Sequence, residues 1–238
     1  MKIRLFTIPN FLTLGNLVCG ANAAIAILTN GDFKLAFWFV VASAIFDFCD
    51  GFAARLLKST SAIGVELDSL ADMVSFGLVP ALAMFSWYGI APQTSQLPDN
   101  IIVWGGYLTL IVVAFSALRL ARFNVDDTQH TEFCGLPTPA NGLFCLSLAM
   151  LAQMGEITFS KEIVLVISIV MACLLISPIR MFALKFKGFG WKGNELRYSF
   201  IAVCAVLIIA FTQYAIPAII LLYILISAVR WIAKLRKA

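Results

Sequence analysis

The chain has 238 residues, of which 61% are hydrophobic and only 13% are charged, and its formal net charge is +4. A soluble domain carries roughly 25% charged residues, so this composition excludes an ordinary water-soluble globular protein. It also excludes a disordered chain, which is polar and rich in charge. We therefore expect an all-α polytopic membrane protein, the class whose apolar outer face is solvated by lipid.

Apolar segments recur along the whole sequence, and a helix needs about 20 such residues to cross a bilayer. We predict about eight transmembrane helices, at 10–29, 33–57, 66–88, 101–121, 140–155, 162–178, 198–213 and 217–233. Pro217 follows a polar stretch and is the expected break inside the last apolar segment, which becomes a hairpin over about 198–233. If that hairpin does not cross the membrane, the number of spans is six.

The lysines and arginines predict the orientation. With the N-terminus in the cytoplasm, fifteen of the 17 basic residues fall on the cytoplasmic side, and only Lys34 and Lys161 fall outside. Cytoplasmic loops carry such an excess. Lys2 and Arg4 belong to a short N-terminal interfacial segment, residues 1–8. We expect one domain over 1–238, integral to the cytoplasmic membrane, with both termini in the cytoplasm.

A basic loop lies between the sixth and seventh predicted spans. Lys185, Lys187, Lys192 and Arg197 are interleaved there with glycines. The patch is small and no nucleic-acid-binding module accompanies it. We interpret it as a surface for anionic lipid headgroups, and we expect membrane lipids rather than nucleic acid among the partners.

Four aspartates lie within 26 residues of otherwise apolar sequence, Asp47 and Asp50 late in the second span and Asp68 and Asp72 early in the third. Carboxylates are rare in the hydrocarbon layer and usually functional there. Spacings of three and four residues place each pair on one face of its helix. Four facing carboxylates need cations to neutralise them, and oxygen ligands suit two Mg²⁺ or Mn²⁺ ions, bridged by Asp47 and Asp68.

The neighbouring residues indicate a phosphate ligand. Gly51 and Ala54 share a face with Asp47 and leave room beside it, and Gly64 allows a second close approach. Arg55, one turn beyond Gly51, adds a guanidinium, so metals and a fixed cation could clamp a pyrophosphate. The alternative is an intramembrane cation path, as in a divalent-cation transporter. That alternative explains the aspartates but not Arg55 or the glycines.

The spacing Asp47-x2-Asp50-Gly51-x2-Ala54-Arg55-x8-Gly64-x3-Asp68-x3-Asp72 matches the signature of the CDP-alcohol phosphotransferases over residues 47–72. By this signature the chain resembles that family over about its first three-quarters. Residues 9–16, 119–124 and 133–141 are most similar to the members that use L-serine.

The resemblance implies transfer of a phosphatidyl group from CDP-diacylglycerol to an alcohol, with release of CMP. It implies a homodimer with a cytoplasmic site. Asp47 and Asp68 would bridge two metals, Asp50 and Asp72 would each complete one metal site, and Asp72 would be the general base. The residues that would contact the CDP moiety or give it room are Asn10, Thr13, Gly51, Ala54, Arg55, Ser61 and Gly64.

The acceptor that the resemblance implies is L-serine, a zwitterion whose pocket needs both an anion-binding and a cation-binding group. The candidates for the carboxylate are Arg119, Arg122 and Arg180, and those for the ammonium are Asn124, Asn141 and Glu66. Glycerol 3-phosphate, an inositol phosphate and choline are the alternative acceptors, since two neighbouring arginines could also bind a phosphorylated alcohol.

Overall fold

The computed structural model describes residues 5–59, 61–96, 98–126, 132–183, 190–191 and 193–236. These residues form ten α-helices, which are α1 (Ile8–Asn30), α2 (Phe33–Leu56), α3 (Ala62–Asp72), α4 (Val79–Ile90), α5 (Asp99–Leu108), α6 (Ile111–Val125), α7 (Thr138–Gln153), α8 (Lys161–Ile176), α9 (Glu195–Phe211) and α10 (Ala215–Leu235). They also form two strands, β1 (Glu132–Cys134) and β2 (Arg180–Phe182). Two sets of basic residues from the sequence analysis lie outside the described ranges. They are Lys2 and Arg4 of the predicted interfacial segment, and Lys185, Lys187 and Lys192 of the basic loop.

The first three helices begin at capping residues. The side-chain oxygens of Thr7, Asp32 and Ser61 each accept a hydrogen bond from a backbone N–H in the first turn of α1, α2 and α3. Such caps satisfy N–H groups that have no partner within the helix. α1 ends at Gly31, which has a φ of 60°, a left-handed conformation that glycine adopts without strain. These signals fix where the helices carrying the aspartates begin.

The expectation of an integral membrane protein agrees with the helix lengths. In the part of the chain that the structure describes, five stretches are long and apolar enough to cross a membrane, namely Ile8–Asn30, Phe33–Leu56, Ala62–Ile90, Asn100–Val125 and Glu195–Leu235. α7 and α8 have 16 residues each, which is fewer than the roughly 20 of a typical span. The count of about eight spans therefore stays a prediction.

The last of these stretches contains a break. A single 3₁₀ turn, Thr212–Tyr214, separates α9 from α10, and Thr212 has a positive φ of 41°. Pro217 lies in the first turn of α10, just after that turn, where its missing N–H leaves no helical hydrogen bond unmade. The predicted separation of two helices is thus present, a few residues before the proline.

The third stretch is interrupted by a different irregularity. The π-helical segment Met73–Leu78 joins α3 to α4 and directly follows Asp72. Ser75 in this segment faces Gly20 of α1, and the two backbones approach closely. A Cβ built on Gly20 would lie 2.9 Å from the Ser75 Cα and 2.2 Å from its Oγ. Gly20 is therefore needed for the packing of α1 against the helix that carries Asp68 and Asp72.

We predict that Gly20→Ala destabilises the protein by about 1–3 kcal/mol, because the added methyl group must displace the Ser75 backbone. The thermal unfolding midpoint of the detergent-purified protein measures this effect. Gly89→Ala is the matched control, since a Cβ on Gly89 would meet nothing within 4 Å. Equal midpoints for the two variants would contradict the close approach of α1 to the π-helical segment.

α7 lies at the centre of the bundle, with most of its residues buried and with α2, α4, α8 and α10 packed around it. At its N-terminal end, β1 pairs with β2 in an antiparallel sheet, with Phe133 opposite Met181. Glu132 of β1 forms ion pairs with Arg230 and Lys234 of α10. This small sheet was not predicted. Its ion pairs connect the C-terminal hairpin, formed by α9 and α10, to the rest of the chain.

Candidate functional site

Three of the four predicted aspartates converge between α2 and α3. Each of Asp47, Asp50 and Asp68 places a carboxylate oxygen within 4.8 Å of the other two. α1 packs against both α2 and α3, and it thereby holds the two carboxylate-bearing helices in register.

Asp72 lies one turn further along α3, beside this group. Its side chain is only 8% exposed, and its Oδ1 accepts a hydrogen bond of 3.0 Å from the Asn16 Nδ2. Asp72 is close enough to Asp47 and Asp68 for charge repulsion and close enough to Arg119 for attraction. The structure thus gives Asp72 a polar environment of its own at the edge of the cluster.

Asn16 belongs to the singled-out residues 9–16, and the sequence interpretation considered it for a nucleotide contact without including it among the predicted CDP contacts. It is completely buried, and its backbone carbonyl accepts hydrogen bonds from the hydroxyls of Ser43 at 3.0 Å and Ser75 at 3.1 Å. The signal was present in the sequence, because Asn10, Thr13 and Asn16 recur every three residues in an apolar span and so lie near one face of α1. Asn16 connects α1 to α2, to the π-helical segment and to Asp72.

A cavity of about 140 Å³ opens beside the carboxylates, between α1, the end of α2 and the start of α3. Asp50 and Asp68 line it. The predicted CDP-contacting residues that also line it are Asn10, Thr13, Gly51, Ala54, Ser61 and Gly64. Arg55 is exposed and is not among the lining residues. The structure therefore brings six of the seven predicted residues to one cavity, and the Arg55 contact stays a prediction.

Contacts inside the cavity fix its polar groups. The Thr13 hydroxyl donates a hydrogen bond of 2.5 Å to the Asp50 Oδ2. The Asn10 side-chain amide donates to the Leu5 carbonyl at 2.8 Å, which leaves the Asn10 Oδ1 facing Gly64. The Ser61 Oγ accepts from the Gly64 N–H at 3.1 Å and keeps its own proton available. Hydrogen-bond donors and acceptors therefore line the cavity on both sides.

The two glycines of the cavity differ in what they allow. A Cβ on Gly51 would meet nothing within 4 Å, so packing within the chain does not require glycine at that position. A Cβ on Gly64 would lie 3.2 Å from the Ser61 Oγ and 3.4 Å from the Asn10 Oδ1. The space over Gly51 can therefore admit a ligand against the α2 backbone, while the absence of a side chain at Gly64 keeps the cavity open near Asn10.

The carboxylate group fits divalent cations. All of its ligand atoms are hard oxygens, the donors that Mg²⁺ and Mn²⁺ prefer. The Asp68 Oδ1 is buried and has no hydrogen-bond partner among the described atoms, which is a costly state for a carboxylate oxygen unless a cation or another donor satisfies it. The residues present thus match the predicted metal site.

The predicted acceptor-binding residues fall into two groups. Arg119 and Asn141 are buried, with exposed fractions of 7% and 0%. Arg122 and Asn124 are exposed near the end of α6, where the Arg122 Nε lies 3.8 Å from an oxygen of Asp126. Asn124 also donates a hydrogen bond of 2.8 Å to the Ser69 Oγ on α3. Arg180 lies half-buried on β2, and Glu66 is exposed.

Arg119 and Asn141 each carry an unsatisfied donor. The Arg119 guanidinium donates to the Thr138 Oγ1 at 3.3 Å and lies 5.1 Å from the centre of the Phe123 ring. Its Nε, like the Asn141 Nδ2, is buried and has no hydrogen-bond partner among the described atoms. Thr138 and Asn141 are three residues apart and share one face of α7. Two buried donors without partners match an anionic ligand group.

Comparisons with known proteins identify the family. Residues 6–175 match the family model described as CDP-alcohol phosphatidyltransferase. Three relatives carry the name CDP-diacylglycerol–serine O-phosphatidyltransferase. The protein from Helicobacter pylori is 29% identical over 232 residues, covering 96% of this chain and 92% of the relative. The one from Bacillus subtilis is 37% identical over 58% of this chain and 72% of its own. The one from Methanocaldococcus jannaschii is 31% identical over 74% of both chains.

Proposed function

The chain belongs to the CDP-alcohol phosphatidyltransferase family, and from that membership we propose that it transfers the phosphatidyl group of CDP-diacylglycerol to the hydroxyl of L-serine. The products are phosphatidylserine and CMP. The names of the relatives support L-serine as the acceptor, because the proteins from Helicobacter pylori, Bacillus subtilis and Methanocaldococcus jannaschii, which match much of the chain, carry that activity in their names.

One observation carries the proposal: three carboxylates from two helices converge, and two of them, Asp50 and Asp68, line a cavity together with small and hydroxyl-bearing residues. A nucleotide bound in this cavity would place its pyrophosphate beside Asp50 and Asp68. The Thr13 hydroxyl keeps Asp50 in place, and the open space at Gly51 lets the phosphates approach the α2 backbone. A transporter path would not require such a cavity at the membrane boundary.

The metal site belongs to this proposal. Asp47, Asp50, Asp68 and Asp72 would hold two Mg²⁺ or Mn²⁺ ions. When bound, these ions supply positive charge that offsets the charge of the pyrophosphate and of the departing phosphate. The protein's own contribution is a rigid carboxylate set, fixed by the packing of α1 against α2 and α3.

Asp72 is the residue best placed to accept a proton. A serine hydroxyl is a weak nucleophile until a base removes its proton. In the proposed step the proton passes to a carboxylate oxygen of Asp72 while the serine oxygen bonds to the β-phosphorus. The bond from that phosphorus to the CMP oxygen breaks, and CMP leaves with the electron pair. The Asn16 amide holds the Asp72 Oδ1, which fixes the orientation of the carboxylate during the step.

The two buried donors of Arg119 and Asn141 favour an acceptor that carries a carboxylate. The Arg119 Nε and the Asn141 Nδ2 would bind the serine carboxylate, so that each gains the partner it lacks. The sequence analysis predicted that Asn141 accepts a hydrogen bond from the serine ammonium. In this proposal it instead donates a hydrogen bond to the serine carboxylate. Contacts from Arg122, Asn124 and Arg180 stay predictions.

The remaining parts of the proposal concern the whole assembly. We place the site at the cytoplasmic face of the cytoplasmic membrane, because the positive-inside rule puts both termini there. Residues 1–238 act as one domain, and two copies form a homodimer. The excess of basic residues on one side of the predicted topology supports the orientation.

The deciding experiment supplies the purified protein with CDP-diacylglycerol, Mn²⁺ or Mg²⁺, and one labelled alcohol at a time. Release of CMP and a new lipid with serine supports the proposal. Product only with glycerol 3-phosphate, an inositol phosphate or choline would assign the chain to another acceptor. Metal flux across vesicles in the absence of any lipid product would favour the transporter.

We predict that Arg119→Lys raises the KM for serine on the order of tenfold, because a lysine ammonium cannot present the planar guanidinium donors and leaves a buried partner unpaired. The KM for CDP-diacylglycerol should stay near that of the wild type. Initial rates at varied concentrations of each substrate measure the two constants. Arg236→Lys, at the exposed end of α10, is the control. An equal rise in both constants would contradict a contact specific to the acceptor.

A further inference from the structure

A second, apolar cavity lies where the C-terminal hairpin meets the rest of the bundle. We call it the hairpin groove, and its volume is about 320 Å³. Its walls come from β1, from the start of α7 and from both helices of the hairpin, including Phe133, Pro139, Leu143, Phe200, Ile219 and Tyr223. α9 and α10 lie beyond residues 6–175, the part that matches the family model. The groove therefore lies between the part that matches the family model and the C-terminal segment beyond it.

The walls of the hairpin groove are apolar and fixed. The Tyr223 hydroxyl, a polar group at its edge, donates to the Phe182 carbonyl at 2.9 Å. The rings of Phe182 and Tyr223 pack with their centres 4.8 Å apart, and those of Phe182 and Phe200 pack 5.3 Å apart. Ligand pockets commonly span about 300–1,000 Å³, so the groove is large enough to hold part of an apolar ligand.

The groove adjoins the residue that accepts a hydrogen bond from Arg119, a predicted acceptor-binding residue. Pro137 and Pro139 both line it, and Thr138 between them accepts the hydrogen bond from Arg119. Arg119 interacts electrostatically with Asp72 and with Tyr223, which lines the groove. One wall of the groove is therefore the start of α7, where Thr138 accepts the hydrogen bond that holds Arg119.

The helix α9, which contributes to the wall of the groove, has an apolar outer face that suits lipid rather than water. α9 exposes large apolar side chains along most of its length, with Val206 64% exposed and Ile209 82% exposed. Phe200 is the buried residue of that helix, and it lies in the groove wall. A ligand that reaches the groove from the side therefore comes from the hydrocarbon layer.

We propose that the hairpin groove holds one acyl chain of CDP-diacylglycerol, so that α9 and α10 select donor lipids by chain length. This inference rests on the proposed function. The reacting phosphorus must lie at the aspartates, and the acyl chains must leave them through an apolar surface. Because lipid is as apolar as the groove, the gain comes from close contact with fixed aromatic walls.

Photolabelling tests the occupant directly. CDP-diacylglycerol with a diazirine near the end of one acyl chain is bound to the full-length protein and irradiated, and the adducts are mapped by mass spectrometry. Adducts on Leu143, Phe200 or Ile219 that unlabelled CDP-diacylglycerol displaces support the proposal. Equal labelling by a diazirine-bearing phosphatidylcholine would identify an ordinary bilayer lipid and overturn it. Labelling elsewhere, or crosslinks between two copies through the groove, would also overturn it.

A substitution that fills the groove tests whether the groove determines the chain-length preference of the reaction. Leu143→Trp should lower the ratio of kcat/KM for long-chain over short-chain CDP-diacylglycerol at least about tenfold, since hydrophobic pockets discriminate methylene groups by such factors. Val206→Trp, on the lipid face of α9 and outside the groove lining, should leave the ratio unchanged. Ile219→Ala, which widens the groove, should shift the preference toward longer chains.

Unchanged ratios in both groove variants would overturn the inference, and the Ile219→Ala variant decides it if Leu143→Trp does not fold. These outcomes are separate from those of the proposed function. Failure of the wild type to release CMP with serine at any chain length would refute the function. Photolabelling of the groove requires no turnover and would still answer where the acyl chain lies.

Discussion

Asp72→Asn is expected to lower kcat by about 100- to 10,000-fold, the range that a positioned general base contributes. Asparagine has the shape of aspartate, and its amide oxygen can still accept the hydrogen bond from Asn16. It cannot take the proton of the serine hydroxyl. Binding of CDP-diacylglycerol should therefore change little. CMP release under saturating substrates measures turnover, and calorimetric titration with CDP-diacylglycerol measures binding.

The matched control is Asp32→Asn at the other end of the bundle. The Asp32 Oδ1 accepts a hydrogen bond from the Leu35 N–H at the start of α2, and asparagine caps helices as well as aspartate does. This variant removes a carboxylate without touching the site, so its rate should match the wild type. A near-normal rate in Asp72→Asn would refute Asp72 as the base.

Asp68→Asn is expected to weaken binding of Mn²⁺ or Mg²⁺ on the order of 100-fold or more. Mutation of a residue that only hydrogen-bonds to a metal ligand typically costs about 10- to 100-fold in metal affinity, and loss of a ligand itself should cost more. The Asp68 Oδ1 is buried without a partner, and its carboxylate lies in the three-residue group with Asp47 and Asp50. Replacing one carboxylate by an amide removes a negative charge and a strong ligand. Metal titrations of CMP release and of nucleotide binding measure the loss.

The two variants should differ in a way that separates their roles. Excess metal should restore part of the activity of Asp68→Asn but not that of Asp72→Asn, because the latter also lacks the proposed base, which added metal does not replace. Chelation of metal should abolish activity in the wild type and in Asp32→Asn alike. An unchanged metal midpoint in Asp68→Asn would contradict the carboxylate group as the metal site.

The acidic site could be anticipated because helical spacing is a local property. Three- and four-residue intervals place Asp47 with Asp50, and Asp68 with Asp72, whatever the rest of the chain does. Capping residues such as Thr7 and Ser61 are likewise local signals. The apolar composition was enough to predict an integral membrane protein. The small residues Gly51, Ala54 and Gly64 indicated the side of the helices on which the cavity lies.

Other parts of the site depend on contacts between distant segments. Asn16 meets Asp72 across 56 residues of sequence, and Arg119 reaches Thr138 only because α6 and α7 pack together. At the sequence level Arg119 looked the same as Arg122, and only burial separates them. Three-residue strands such as β1 carry too little periodicity to be recognised, and they form because Glu132 and Phe182 are brought opposite each other.

The π-helical segment after Asp72 has a consequence for the evolution of chain length. A π turn closes a hydrogen bond over five residues instead of four, so it stores one more residue than an α turn does. Loss of a single residue within Met73–Leu78 could be absorbed by reversion to the α geometry, with the orientations on both sides preserved. The same deletion inside α3 would swing the preceding carboxylate by roughly 100° around the axis. Homologous enzymes that differ by one residue in this helix should carry the difference in that segment.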